Sequence, residues 1–282
     1  MKFNLYEAAK EKILIVAHRG VFGGNIPCNT IASYEIALKQ GADMIETDVN
    51  STSDGKLIVF HPGMEHAHLN NSEIELPKMS WEEVSKLKYV NIDNVPTQFG
   101  IESFDDFLEH FKGRCFINVD KFWDNPEAIY KTVAAHGMLD QIVVKAPPTE
   151  KVLSVLEELA PTLPYMPVVK ISFEDHERLL KRNINYVGIE ALFESDDDPI
   201  ISKEFMDRVH KDGKLMWANS IVYDVKRQIA AGHSDDTALT VSEDLGWGWH
   251  VDRGFDLIQT DWPLMLIEHL KRSNKYYKQS NV

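Results

Sequence analysis

Two carboxylates one residue apart, Glu46 and Asp48, sit in the run DMIETDV at 43–49, whose apolar and β-branched residues predict a strand. Residues at i and i+2 of a strand leave by the same face, so both side chains point to one place. Like charges that close repel unless something positive lies between them, and oxygen ligands of this kind suit a hard divalent cation, Mg²⁺ or Ca²⁺. Asp120, at the end of a later strand-like run, is the third candidate ligand. The competing arrangement is a set of carboxylates salt-bridged to lysine or arginine. His18 and His61 close two further runs. Imidazole titrates near neutral pH, so two of them can serve as base and acid; the plainer alternative is one buried, hydrogen-bonded histidine and one surface residue. His66 and His68 share the loop of His61 and read as solvated. Arg19 is the candidate phosphate ligand, because guanidinium meets two oxygens at once. Lys121, Lys145 and Lys170 add positive charge, each alternatively a rim lysine paired with an acid. Lys145 and Trp217 complete the candidate substrate-binding set.

These residues need elements that bring them to one rim. Strand-like runs occur at 13–18, 43–49, 57–60, 115–121, 141–145, 166–170, 185–190, 214–219 and 256–260. Helix-length stretches such as Asn29–Gln40, Pro126–His136, Glu150–Leu159, Phe173–Arg182 and Lys203–Asp212 separate most of them, the alternation of parallel βαβ units. The link from Val49 to Leu57 holds Ser53-Asp54-Gly55, a turn signal with no room for a crossover helix. The run 57–60 is therefore expected to pair antiparallel with 43–49, which leaves eight staves and one (βα)8 TIM barrel over residues 1–282. In such a barrel the active site lies at the C-terminal strand ends, where the candidate residues fall. Residues 61–100 interrupt the repeat as an inserted loop or lid, and 231–254 form a second long connection in which Trp247 and Trp249 are expected to pack the loop onto the barrel.

Composition narrows the function class. Hydrophobic residues make up 44% and charged residues 26%, ordinary for a globular chain and unlike a disordered one. No apolar run approaches the roughly 20 residues that span a bilayer, so no integral membrane association is expected. Thirty Lys and Arg against 44 Asp and Glu give −14, a field that repels nucleic acid. Two cysteines, Cys28 and Cys115, are too few for a disulfide framework, and no secretory leader is evident at the start, so a reducing, cytoplasmic setting is expected. A homo-oligomer stays open.

The order AHRG, P-x-N-T, GAD-x-I-E-x-DV and a hydrophobic run ending in His, across Ala17–His61, resembles the glycerophosphodiester phosphodiesterase family. Asn118-Val119-Asp120, MWAN at 216–219 and GFDLIQTDWP at 254–263 extend the resemblance along the chain. It implies a single barrel that hydrolyses glycerophosphodiesters to an alcohol and glycerol 3-phosphate. It also implies one divalent cation on Glu46, Asp48 and Asp120, His18 and His61 as the acid–base pair, and phosphate on Arg19. Four positions depart from the pattern. Cys28 replaces a glutamate, Asp120 is one methylene shorter than the usual ligand, and Pro62 follows His61 where aspartate is common. Phe122 occupies the place of a lysine, and Lys121 falls on the opposite face of a regular strand, away from phosphate. The alternatives are the same machinery acting on another phosphodiester (a lysophospholipid or glycosyl phosphate), or a non-catalytic ligand-binding relative.

Overall fold

The structure is a computed structural model and describes residues 3–169, 171–226 and 228–278; Lys170 lies outside the described residues. The strands are β1 (Leu14–His18), β2 (Met44–Ser51), β3 (Leu57–Val59), β4 (Lys88–Val90), β5 (Pro96–Gly100), β6 (Glu102–Ser103), β7 (Phe116–Asp120), β8 (Ile142–Ala146), β9 (Tyr165–Pro167), β10 (Gly188–Ala191), β11 (Leu215–Asn219) and β12 (Leu257–Thr260). Parallel pairing runs β10-β11-β12-β1-β2-β7-β8-β9. Parallel bridges Tyr165–Tyr186 and Val168–Glu190 join the two ends, closing the eight-stave barrel that the sequence predicts. Strand β3 pairs antiparallel with β2, Val49 opposite Val59 and Ser51 opposite Leu57, as the short Ser53-Asp54-Gly55 turn requires.

Alternation along the staves sorts their residues into two cores. Outward residues such as Ile15, Ile45, Ile117 and Val144 pack under the surrounding helices. Inward residues are apolar at the N-terminal end and polar at the other. β1 runs Leu14, Val16, His18; β2 runs Met44, Glu46, Asp48; β7 runs Phe116, Asn118, Asp120; β12 runs Leu257, Gln259. The apolar end forms its own cluster of Leu14, Val16, Met44, Val143, Met166 and Trp217, closed from below by Leu5 and Ala9 of the helix Leu5–Glu11. Burying charge is costly without partners, so polar groups gather at the open end, where partners and water can reach them.

The helix expected from Asn29 begins at Ile31, with Thr30 as N-cap in a reciprocal bond with Ser33. Residues 61–100 are more ordered than a bare loop. Helix Glu65–His68, the turn Leu76–Lys78, helix Trp81–Val84 and the β4–β5 hairpin enclose a cluster of Ile58, Phe60, Leu69, Leu76, Val84, Tyr89 and Ile101. In the second connection, helix Asp235–Thr240, a π-helical turn Asp244–Gly248 and helix Trp249–Arg253 turn both tryptophans inward. Trp247 is fully buried, and Trp249 stacks on His233 with ring centres 3.8 Å apart.

His250 lies buried in this connection, its Nε2–H donating to the carbonyl of His233 at 2.6 Å. Burial holds its pKa down at about 4, against an ordinary 6.5. Between those values the unfolded chain binds a proton that the folded chain refuses, so stability falls as pH drops from 6.5 towards 4, by up to about 3 kcal/mol. Urea midpoints measured across this window should therefore fall more steeply for the wild type than for His250→Gln; equal slopes would rule His250 out as the source.

Candidate active site

Register delivers the site. Across β1 and β2, His18 lies opposite Glu46; across β2 and β7, Glu46 lies opposite Asn118 and Asp48 opposite Asp120. Glu46, Asp48 and Asp120 each bring a carboxylate oxygen to within 4.8 Å of the others. Burial pushes Glu46 up to about 7, and the neighbouring Asp48 adds to the rise. Burial would raise Asp48 too, but Arg19, His61 and Lys121 overcome it and hold its pKa near 2. One Asp48 oxygen, Oδ2, faces Arg19 Nε at 2.9 Å and accepts from Asn29 Nδ2 at 3.0 Å. The other, Oδ1, is buried without a hydrogen-bond partner. An orphaned carboxylate oxygen inside a three-carboxylate cluster fits a hard divalent cation.

Backbone geometry aims the cations at this cluster. Arg19, Asn29 and Lys121 all have left-handed backbones, with φ of 55°, 54° and 59°, conformations that non-glycine residues rarely adopt and that concentrate at functional sites. At Arg19 the turn is pinned by its own N–H donating to Glu46 Oε2 at 3.0 Å. The next residue, Gly20, is also left-handed, and a Cβ there would lie 2.5 Å from the Ser33 hydroxyl; only glycine lets the loop pass the helix start so closely. At Lys121 the left-handed residue breaks the strand alternation. Its Nζ lies 2.7 Å from Asp120 and 3.7 Å from Asp48, so the expectation that Lys121 points away from the site is corrected. Phe122 takes the buried position instead.

Both histidines enter with the same nitrogen. His18 Nδ1 lies 2.8 Å from Asp261 Oδ1, and its Nε2 is 3.3 Å from the Tyr223 hydroxyl. His61 Nδ1 lies 2.9 Å from the Pro62 carbonyl, and its Nε2 is 3.9 Å from Asp48 Oδ1. In each ring an acceptor fixes the proton on Nδ1 and turns Nε2 into the cleft, where at His18 it meets the Tyr223 hydroxyl. His66 is exposed, but His68 turns inward to Cys28 Sγ at 3.6 Å. Burial pushes the Cys28 thiol up to about 12 and His68 down to about 4, so this pair is a neutral contact.

Lys145 is buried below the rim, held by Glu190 at 3.2 Å and Gln259 Oε1 at 3.2 Å, with Nζ 4.7 Å from the Trp217 ring centre. Trp217 has no exposed surface and so forms the floor under Lys145, not an accessible wall. Two residues of the site carry no assignment from the sequence: Tyr223, in a loop with no distinguishing pattern, and Asn29, at the start of a helix-length stretch. The P-x-N-T spacing was the available signal for Asn29, whose Oδ1 also accepts from Tyr34 at 2.7 Å.

A sequence profile of the glycerophosphoryl diester phosphodiesterase family matches residues 18–232, and the chain belongs to that family. The glycerophosphodiester phosphodiesterase of Bacillus subtilis (strain 168) is 57% identical over 51 residues; the match covers 18% of this chain and 17% of that relative's length. Among solved structures, a glycerophosphoryl diester phosphodiesterase from Parabacteroides distasonis superimposes with a TM-score of 0.79 at 15% identity, covering 99% of this chain and 96% of the other. A phosphodiesterase from Oleispira antarctica, solved with the product sn-glycerol-3-phosphate, superimposes at 0.70 with 18% identity, covering 95% and 99%. At such identities these two establish the fold.

If the carboxylate trio takes a cation, Mg²⁺ or Ca²⁺ at one hundred times its Kd should stabilise the fold by about 2.7 kcal/mol. That corresponds to a Tm rise of about 5–10 °C for a chain of this size. Asp48→Asn should abolish the response; an unresponsive wild type would mean that Arg19 and Lys121 alone neutralise the trio.

Proposed function

We propose that this chain hydrolyses glycerophosphodiesters to an alcohol and glycerol 3-phosphate, using one divalent cation and the His18–His61 pair. The observation that carries the reading is the convergence of two Nε2-presenting histidines and a buried arginine on a carboxylate cluster with an orphaned oxygen. Membership of the family supports the same chemistry.

Glu46, Asp48 and Asp120 would hold the cation, which when bound neutralises charge on phosphoryl oxygens and lowers the pKa of the attacking water. Arg19 and Lys121 bring fixed positive charge to the same place, Arg19 as the planar fork suited to two phosphate oxygens. One imidazole takes a proton from the attacking water as its oxygen bonds to phosphorus, and the other gives a proton to the departing alkoxide as its bond to phosphorus breaks. The net reaction consumes one water. Asp261, on His18 Nδ1, keeps that ring in one tautomer. Lys145, tied to Glu190 and Gln259, supports the floor of the site. Both cysteines are unpaired and buried, which supports a reducing, cytoplasmic setting. Among the described residues no helix is long and apolar enough to cross a membrane.

One observation favours a second substrate class. A groove of about 370 Å³, lined by Val21, Phe22, Trp262, Leu264 and Met265, adjoins Asp261, and the last four of those side chains are exposed. It suits a substrate whose glycerol carries an acyl chain, such as a lysophospholipid, with the chain staying on the phosphate-bearing half when the head-group alcohol departs. The test is release of glycerol 3-phosphate from glycerophosphocholine and glycerophosphoethanolamine, and of choline from lysophosphatidylcholine, with Mg²⁺ or Ca²⁺ and with EDTA. Chelator-sensitive turnover is expected. His18→Ala or His61→Ala should each lower kcat by about 10²–10⁴-fold with the Tm unchanged. No turnover of any diester by folded, cation-loaded protein would leave a binding protein as the reading.

A further inference from the structure

Asp235 stands outside the ring of groups that face the carboxylate trio, at the first position of helix Asp235–Thr240, and is fully enclosed. Its oxygens accept four hydrogen bonds. Oδ1 takes the Ser220 hydroxyl at 2.7 Å, the Trp247 indole N–H at 2.6 Å and the Thr260 hydroxyl at 2.8 Å. Oδ2 takes the backbone N–H of Asp261 at 2.8 Å. Asp261 is the residue on which His18 rests, and it follows the last residue of β12, where ladder bonds no longer hold the backbone. Trp262 N–H donates to the Thr260 hydroxyl oxygen at 2.9 Å, so the last residue of the strand and the two that follow it are tied, directly or through Thr260, to one buried carboxylate.

We propose that Asp235 is the positioning residue of the His18–Asp261 pair: by anchoring the peptide of Asp261 it sets the direction of that carboxylate, and so which nitrogen of His18 faces the cleft. The inference rests on the acid–base role given to His18 above. A plain anchor for the helix and for Trp247 would need only an acceptor oxygen at Oδ1, which a neutral amide also offers. Oδ2 is different, because it alone meets the Asp261 N–H. Burial and the nearby Asp261 charge push Asp235 up to about 6, so the fold keeps here a carboxylate whose charge is disfavoured. Buried networks of this kind specify one arrangement when every member is satisfied.

Asp235→Asn separates the two roles. The amide keeps the Oδ1 acceptor for Ser220, Thr260 and Trp247 but turns an N–H₂ towards the Asp261 N–H, which breaks that contact alone. In the cation-loaded protein kcat should fall about tenfold or more with KM within about twofold, whereas Ser220→Ala, which removes one donor from Oδ1, should stay near wild type. If Asp235 acts through Asp261, Asp235→Asn should cost nothing further in an Asp261→Ala background. Losses that multiply across the two sites would overturn the proposal. A readout free of turnover is the His18 Nδ1–H proton resonance, assigned by its absence in His18→Gln. It should be present in wild type and Ser220→Ala and lost or moved upfield in Asp235→Asn. An unchanged resonance with a lowered Tm would reduce Asp235 to a structural anchor. Should the amide variant fail to fold, Asp235→Ala, which leaves room for water, repeats both measurements. If the wild type turns over no diester, the proposed function fails, and the resonance alone decides the positioning role.

Discussion

Asp48 has no exposed surface, yet its carboxyl is held as a charge at a pKa near 2. A buried carboxylate survives in that form only when partners replace its water. Arg19, Asn29, Lys121 and His61 do so from three loops. The dependence runs both ways. Arg19 is itself buried and would be intolerable there without Asp48, and Asn29, fixed by Tyr34, has no other charged partner at its amide. Removing Asp48 would strand a buried guanidinium, so the βα loops at this rim are conditional on one side chain of β2.

That requirement explains the strained backbone. A stave ends with its last inward residue pointing into the barrel, and a chain leaving in the extended region would carry the next side chain outwards. At the ends of β1 and β7 a left-handed residue directly after the strand reverses this, so that both the strand's last residue and its successor face the site: His18 with Arg19, and Asp120 with Lys121. The cost per left-handed residue is of order 1–3 kcal/mol, and it is offset where the redirected cation meets the carboxylates. Gly20 shows how little slack remains, since the turn passes within bonding distance of Ser33 with no room for a Cβ.

What could be read from the sequence follows the same division. Staves, the antiparallel β3 and the carboxylate pair on β2 were legible because strand periodicity and a short turn dictate them locally. His18, His61 and Asp120 were legible as strand ends. The direction of Lys121 was not, because a single left-handed residue leaves no trace in an apolar pattern and the regular strand is the default. Nor was the substance of residues 61–100, whose helices of four residues and short hairpin are held by a tertiary cluster around Phe60 and Tyr89 and not by periodicity. Trp217 reads as a strand-end residue able to touch substrate, but its inward row places it beneath Lys145, one layer too deep. Asp235 sits in Ser-Asp-Asp, an ordinary helix start; its partner Asp261 is 26 residues away, and no local rule connects them.

Charge accounting at the rim then bears on what the site is built to receive. The chain carries −14 overall, but the centre of the site brings three carboxylates, Glu46, Asp48 and Asp120, against two permanent cations, Arg19 and Lys121, with Lys145 and Glu190 cancelling below them. One negative charge remains among these five side chains when all are ionised, and burial together with the neighbouring Asp48 disfavours it at Glu46. That charge would repel an anionic substrate. A divalent cation reverses its sign and leaves one positive charge, which the single negative charge of a phosphodiester neutralises. A phosphomonoester, with nearly two charges at neutral pH, would overfill the site. On this count the centre with a cation bound would suit a monoanion better than a dianion.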